Sequence, residues 1–224
     1  IFCLVVIPSY LINGQALTGC RFSIGGAISN HYWNDLIYPD LSDWKDNKYG
    51  LSFMVNAEIS LYQILSIRPE IGYIQKGFKN DLASPMAQDD DINLEGEDVI
   101  FHDLSGSVGL KVSPFHDVIK PYLIIGLRAD YLLKYEDITY EYEGHEYGLY
   151  EDTPPNILND INKLTVSVLM GAGIEFNERY YLDFEFNPGL TNNYSDKELN
   201  ISDRFIGLTF GLNIMNLFKK GQEK

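Results

Sequence analysis

The chain has 224 residues, of which 45% are hydrophobic and 13% aromatic, and its formal net charge is −15. This apolar and aromatic content is enough to build a packed structure, which excludes a disordered chain. The negative charge excludes nucleic acid as a partner, because phosphates require a basic face, and the two cysteines exclude a disulfide scaffold and a four-ligand zinc site.

The chain opens with an uncharged apolar run over residues 1–12, followed by Asn13-Gly14-Gln15-Ala16. The run is shorter than the roughly 20 residues of a membrane-spanning helix. The small residues that follow it are those that signal peptidase accepts. We therefore expect residues 1–16 to be the remainder of a signal peptide cleaved after Ala16, and residues 17–224 to form the exported domain.

Two alternatives to that interpretation stay open. The apolar run has the composition of a buried core segment. The sequence Leu17-Thr18-Gly19-Cys20 resembles a lipoprotein cleavage site, which would place a lipid on Cys20.

Beyond this segment, apolar and polar residues alternate with a period of two. Successive side chains of a strand point to opposite faces, so the alternation predicts amphipathic β-strands. In the last such segment, Ile206 and Leu208 alternate with Gly207 and Thr209. In chain order the predicted strands are 20–29, 51–61, 65–76, 103–112, 120–134, 164–176, 180–190 and 204–216.

The connections between the predicted strands alternate between short and long. The short ones are 62–64, 113–119 and 177–179, and the long ones are 30–48, 78–98, 135–163 and 191–203. Short periplasmic turns and long outer loops are typical of outer-membrane barrels. The predicted fold is all-β: an eight-stranded antiparallel up-and-down transmembrane β-barrel with long extracellular loops.

A soluble lipocalin-like barrel is the rival architecture. The membrane barrel is favoured because one strand face is almost purely aliphatic and aromatic, whereas the other carries charges and glycines, which suit a narrow lumen. Aromatic residues near the strand ends are also predicted to form girdles at the two membrane interfaces. These residues are Tyr49, Tyr73, Phe101, Tyr122, Tyr131, Phe176, Tyr180 and Phe218.

Three motifs carry a resemblance to a known family. They are the run from Leu65 to Phe78, the run from Lys120 to Gly126 with Tyr131-Leu132-Leu133, and Gly189-Leu190-Thr191-Asn192. Together they resemble the PorT-like outer-membrane β-barrel proteins of Bacteroidota. The resemblance implies the outer membrane of a Gram-negative bacterium. One member of that family belongs to a secretion machinery, which makes an accessory subunit of such a complex one alternative.

The strand face predicted to line the lumen carries charges of both signs. Its acids are Glu58, Glu70, Asp103, Asp130, Glu175, Asp183 and Glu185, and its bases are Arg21, Arg68, Lys76, Lys111, Arg128 and Lys134. Because the acidic and basic side chains are nearly equal in number, they are predicted to form ion pairs with one another inside the barrel. The core of the predicted ion-pair network is Arg68, Glu70, Arg128, Asp130, Asp183 and Glu185. This network is expected to act as a structural plug that fills the lumen. The alternative hypothesis is that it lines an ion path.

No catalytic constellation is apparent, because neither Asp-x-His nor His-x-Ser occurs in the chain. We therefore expect a protein that is not an enzyme and has no cofactor. The acidic run around Asp89, Asp90, Asp91 and Glu95 predicts a weak site for Ca²⁺ or Mg²⁺. It cannot be an EF-hand, because His102 stands where the bidentate Glu is required.

The long loops hold most of the charge: 22 acidic and five basic side chains, against 10 and 12 in the rest of the chain. Segment 135–150 interleaves its acids with tyrosines, which are suited to recognition surfaces. The expected partners are membrane lipid, lipopolysaccharide bridged by cations, and proteins that bind the loops. The predicted function is a structural or surface-interaction role, with a narrow porin-like channel as the alternative.

Overall fold

The structure is a computed structural model, and it describes residues 16–33, 45–80, 98–115, 117–136, 161–193 and 201–215. The strands in this part of the chain are β1 (Ala16–Trp33), β2 (Lys45–Tyr62), β3 (Leu65–Asn80), β4 (Asp98–Val112), β5 (Ile119–Glu136), β6 (Leu164–Phe176), β7 (Tyr180–Pro188) and β8 (Ile201–Asn213). Within these ranges no helix is long and apolar enough to cross a membrane.

The strands form one closed antiparallel barrel. Each strand pairs with its neighbour in the chain, and β1 pairs with β8 to complete the ring. The closing register runs from Arg21 opposite Asn213 to Trp33 opposite Ile201. The predicted eight-stranded barrel is therefore confirmed. Closure satisfies the backbone amides that would otherwise be left unpaired in lipid.

The strand ends differ in part from the prediction. β1 continues to Trp33 and β2 begins at Lys45, so both strands reach into the segment predicted as the loop 30–48. β7 is shorter than predicted and ends at Pro188. Beyond it the amides of Gly189 and Leu190 still donate hydrogen bonds to the carbonyls of Asp203 and Val166.

The turn between β6 and β7 is tight. Asn177 and Glu178 have φ angles of 53° and 57°, and the amide of Arg179 donates a hydrogen bond of 3.1 Å to the carbonyl of Phe176. Positive φ at both central residues is characteristic of a type I′ turn, whose twist matches that of a hairpin. The short connection predicted over 177–179 is confirmed.

The two faces of the wall have opposite character. On β5, Leu123, Ile125 and Leu127 are 65%, 58% and 57% exposed, whereas Arg128 and Asp130 are buried in the lumen. A soluble barrel would bury the aliphatic face and expose the charged one. The observed inversion suits a wall that faces lipid.

Two of the residues predicted for the aromatic girdles lie inside the barrel instead. Phe101 and Tyr122 are both buried. The reason is periodicity: Phe101 is two residues from the inward Asp103, and Tyr122 is six residues from the inward Arg128. Residues separated by an even number share a strand face.

The other girdle residues that can be placed lie on the outer wall. Tyr49, Tyr131, Phe176 and Tyr180 are exposed, and Tyr73 is partly exposed beside them. Phe218 lies outside the described residues.

We expect replacement of Leu127 by Arg to destabilise the barrel in lipid vesicles by about 2–4 kcal/mol, because a cation would face the hydrocarbon. Leu127→Ile, which keeps the side chain apolar, is the matched control and should change little. Urea-induced unfolding in vesicles measures both. Equal stability of the Arg variant and the native protein would contradict a lipid-facing wall.

Candidate functional site

The inward charges are grouped in three layers along the barrel axis. The periplasmic layer contains Arg21, Glu58, Lys111 and Glu175; the middle layer contains Arg68, Glu70, Arg128, Asp183 and Glu185; and the outer layer contains Lys76, Asp103, Asp130 and Asp203. Side chains alternate between the two faces along each strand, so every second residue of β1 to β8 points into the lumen. This alternation brings the charged side chains together there.

The middle layer is a network that crosses the lumen between β3, β5 and β7. Arg68 contacts Asp183 Oδ1 at 3.1 Å and Glu185 Oε1 at 2.6 Å. Arg128 contacts Glu70 Oε1 and Glu185 Oε2, each at 2.8 Å. Glu185 therefore bridges the two guanidinium groups. Such pairs offset the cost of desolvation only when their remaining groups are also satisfied.

Neutral side chains add hydrogen bonds to the carboxylates of the middle layer, whereas Nε of Arg68 and Nε of Arg128 are buried without a hydrogen-bond partner among the described residues. Asn56 and Ser107 donate hydrogen bonds to Glu70, at 3.3 and 3.4 Å. The hydroxyl of Tyr122 donates to Asp183 Oδ1. Gly173 leaves room for that phenol, because a Cβ there would stand 2.5 Å from the Tyr122 ring. The inward tyrosine thus acts as part of the carboxylate's binding shell.

The periplasmic layer is balanced in charge. Lys111 Nζ contacts Glu58 at 2.9 Å and Glu175 at 3.0 Å, and Arg21 also pairs with Glu58. The guanidinium of Arg21 lies 3.4 Å from the centroid of the Tyr181 ring, a cation–π arrangement. Beyond this layer a vestibule of about 470 Å³, lined in part by Glu58 and Lys111, marks the periplasmic mouth.

The outer layer has one base among three acids. Lys76 Nζ lies 3.0 Å from Asp103, 2.9 Å from Asp130 and 2.8 Å from Asp203. Next to it, Phe78, Val99 and Phe101 form a buried apolar cluster against which Leu132, Tyr135 and Ile161 pack. This cluster fills the extracellular end of the described lumen.

The structure divides the predicted network between two layers. Arg68, Glu70, Arg128, Asp183 and Glu185 meet in the middle layer, whereas Asp130 binds Lys76 in the outer layer. Asp203 was not among the predicted lumen residues, because the last strand was predicted to begin at residue 204. Tyr122 was predicted to lie in an aromatic girdle, although its strand face is that of the inward Arg128.

Lys134 was predicted to face the lumen, and this is wrong. Its side chain is 69% exposed on the outer wall, 3.6 Å from Glu136. A register shift between His102 and Asp103 causes the change, because it places Lys134 opposite the outward His102. A β-bulge adds one residue and reverses which face later side chains occupy.

The same rim of the outer wall carries a polar chain that the sequence did not reveal. The hydroxyl of Tyr73 is hydrogen-bonded to Nδ1 of His102, and Nε2 of His102 lies 3.2 Å from Glu136 Oε1. The three residues come from β3, β4 and β5, so no local motif could indicate them. The arrangement links a phenol, an imidazole and a carboxylate in the order of an acid–base relay.

The predicted cation site cannot be placed, because Asp89, Asp90, Asp91 and Glu95 lie outside the described residues. Over the ranges that the structure does describe, no three His, Cys, Asp or Glu side chains form a metal cage. In the outer layer the three aspartates surround the ammonium of Lys76 instead.

We expect Arg128→Ala to destabilise the barrel by about 3–5 kcal/mol, because Glu70 and Glu185 would be left buried without this partner. Lys134→Ala is the matched control: it also removes a cation, but from an exposed pair that contributes at most about 1 kcal/mol. Denaturant unfolding in detergent micelles compares the two. Similar losses for both variants would show that the middle layer is not a buried network.

Comparisons with known proteins place this architecture in a family. A profile of the family described as "Outer membrane protein beta-barrel domain" matches residues 17–195. A search among curated proteins finds no match.

Solved structures share the barrel at low identity. The attachment invasion locus protein Ail of Yersinia pestis, solved with the heparin analogue sucrose octasulfate, is 14% identical with a TM-score of 0.43, covering 87% of this chain and 97% of that one. Neisserial surface protein A is 10% identical with a TM-score of 0.45, covering 90% and 99%. The outer membrane enzyme PagL is 12% identical with a TM-score of 0.45, covering 85% and 99%.

At this level of similarity the ligands and activities of the solved structures cannot be assigned to this chain. The narrower resemblance to PorT-like proteins stays a prediction. The family profile, by contrast, spans most of the chain and agrees with the closed barrel and its apolar outer wall. The chain therefore belongs to the outer membrane protein beta-barrel domain family.

Proposed function

We propose that this protein is a non-enzymatic outer-membrane barrel that holds acidic, tyrosine-rich loops at the cell surface for structural or interaction work. The observation that carries the proposal is the charged plug, by which we mean the three lumen layers together. Because paired side chains fill the lumen, solutes pass through it poorly. In this proposal the function therefore depends on the exposed surfaces of the barrel.

The size of the internal cavities supports a closed lumen. One, of about 10 Å³, lies beside Glu70, Arg128 and Glu185. Another, of about 20 Å³, lies in the outer layer. A cavity needs at least about 10–15 Å³ to hold one water molecule. Neither cavity has room for a hydrated ion, so conduction would require the ion pairs to separate.

The surface role is supported by the distribution of charge. The long loops of the sequence carry 22 acidic side chains and five basic ones. Such a surface repels anions and attracts cations and basic proteins within about 8 Å, the Debye length at physiological salt. Tyrosines in the same segments supply rigid contact area with a polar tip.

The outer wall supports membrane lipid and lipopolysaccharide as partners. Tyr73 lies level with Leu104 and Tyr131 on this wall, and His102 and Lys134 lie opposite each other farther toward the extracellular end. In this proposal the exposed ammonium of Lys134 binds the phosphates of lipid headgroups. In this proposal the Tyr73–His102–Glu136 chain serves as a polar anchor rather than as a catalytic group.

Export through the predicted signal peptide belongs to the same proposal. β1 begins at Ala16, so cleavage after that residue leaves the strand complete from Leu17 onward. A mature N-terminus at Leu17 in the outer-membrane fraction is the corresponding readout.

A second candidate, an accessory subunit of an outer-membrane secretion complex, is favoured by the periplasmic vestibule. Its lining includes Lys111, Lys120, Glu58 and Glu178, together with serine and asparagine side chains. A polar recess of both charge signs is suited to a periplasmic peptide segment.

The conductance of the purified barrel tests the plug. In planar bilayers we expect the native protein to show no stable open channel, because Arg68 and Arg128 hold the middle layer closed. Arg128→Ala should raise the frequency of brief openings, whereas Lys134→Ala, on the outer wall, should not. A large and stable single-channel conductance of the native protein would instead establish the passive pore.

A further inference from the structure

The outer layer contains more negative than positive charge. Asp103 and Asp130 are 4% and 3% exposed, and they share the single ammonium of Lys76 at 3.0 and 2.9 Å. Asp203 also contacts this ammonium through Oδ2, and its Oδ1 accepts a hydrogen bond from Asn193. Even without it, two deeply buried carboxylates face one cation.

The periplasmic layer shows what a balanced arrangement looks like: Arg21 and Lys111 face Glu58 and Glu175, one base for each acid. The middle layer has three acids for two bases, but each of its carboxylates contacts an arginine. Lys163 also lines the cavity of the outer layer, and it is exposed. Its charge is therefore screened by solvent and compensates the buried carboxylates only weakly.

A second observation is independent of the charge. Oδ1 of Asp130 is buried and has no hydrogen-bond partner, although Oδ2 of the same carboxylate contacts Lys76. Asp130 lines a cavity of about 20 Å³, together with Asp103, Asp203, Asn162 and Thr165. A buried carboxylate oxygen without a partner is costly, which points to an occupant of the cavity.

The cavity limits what that occupant can be. Its volume accommodates one particle of the size of a water molecule. Carboxylate, amide and hydroxyl oxygens are ligands for hard cations. Mg²⁺ is disfavoured, because it usually retains several of its waters and the cavity has no space for them. Na⁺ and Ca²⁺ accept irregular oxygen coordination.

We propose that the outer layer binds one small hard cation, Na⁺ or Ca²⁺, beside Asp130 Oδ1, as a constituent of the plug. The cation lies next to Lys76 and not in its place, so the three aspartates keep their contacts with the ammonium. A site with one dedicated carboxylate oxygen and a neighbouring ammonium binds weakly, in the millimolar range that is typical of extracellular calcium modules.

The proposal makes the plug depend on the ions outside the cell. The outer layer is the layer nearest the extracellular end, so its cation comes from the medium. This site is separate from the weak cation site predicted around Asp89 to Asp91, and the two can be tested apart.

The test uses the full-length barrel, refolded in a zwitterionic detergent and treated with a chelator. Its unfolding temperature is measured while NaCl or CaCl₂ replaces choline chloride at constant ionic strength. We expect a saturable rise with Na⁺ or with Ca²⁺ and none with choline, which is too large for the cavity. The ion that saturates at the lower concentration is the native ligand.

Variants assign the effect to the cavity. Asp130→Asn should weaken the apparent cation affinity at least tenfold, whereas Glu175→Gln, in the periplasmic layer, should leave it unchanged. Lys76→Met removes the competing ammonium and should tighten binding. The triple change of Asp89, Asp90 and Asp91 to Asn should retain the saturable rise, because it alters only the loop.

Three results would overturn the proposal. The first is an equal rise of the unfolding temperature in choline chloride, which would indicate a general effect of ionic strength. The second is a full rise with Na⁺ or Ca²⁺ in Asp130→Asn. The third is loss of the rise in the loop variant, which would assign the effect to the loop. If Asp130→Asn fails to fold, Lys76→Met decides: unchanged or weaker cation affinity in that variant contradicts a cation beside the ammonium.

Discussion

The desolvation of charged side chains inside a narrow barrel is the constraint on which the rest of this structure depends. Eight strands enclose a lumen only wide enough for side chains. Arg68 and Arg128 are almost completely buried there. A buried guanidinium is stable only beside carboxylates. The positions of Glu70, Asp183 and Glu185 on the facing strands follow from that requirement.

The same constraint explains the neutral residues of the lumen and the character of the wall. Gly173 is small where Tyr122 must reach Asp183. Because the charges occupy the inside, the aliphatic side chains are left for the outside, where lipid accepts them. The plug and the membrane-facing surface are therefore two consequences of one strand pattern. The function proposed for the protein follows from this division, since a filled lumen leaves the surfaces for interaction.

The sequence was sufficient to predict the barrel, because a period of two determines which residues share a face. It also indicated the inward position of Arg68, Glu70 and Asp183. It could not assign partners, because Arg68 and Asp183 are 115 residues apart in the chain and meet only across the lumen. The position of Lys134 depended on a register shift with no local signal. By contrast, the inward position of Tyr122 was available from strand parity.

The most direct test of the plug is a double-mutant cycle between Arg68 and Asp183, with denaturant unfolding as the measurement. If the two side chains form a buried pair, the double Ala variant should be more stable than the sum of the single losses predicts, by about 1–3 kcal/mol. Losses that add within about 0.5 kcal/mol would contradict the account, because they would mean that the two charges do not interact across the lumen.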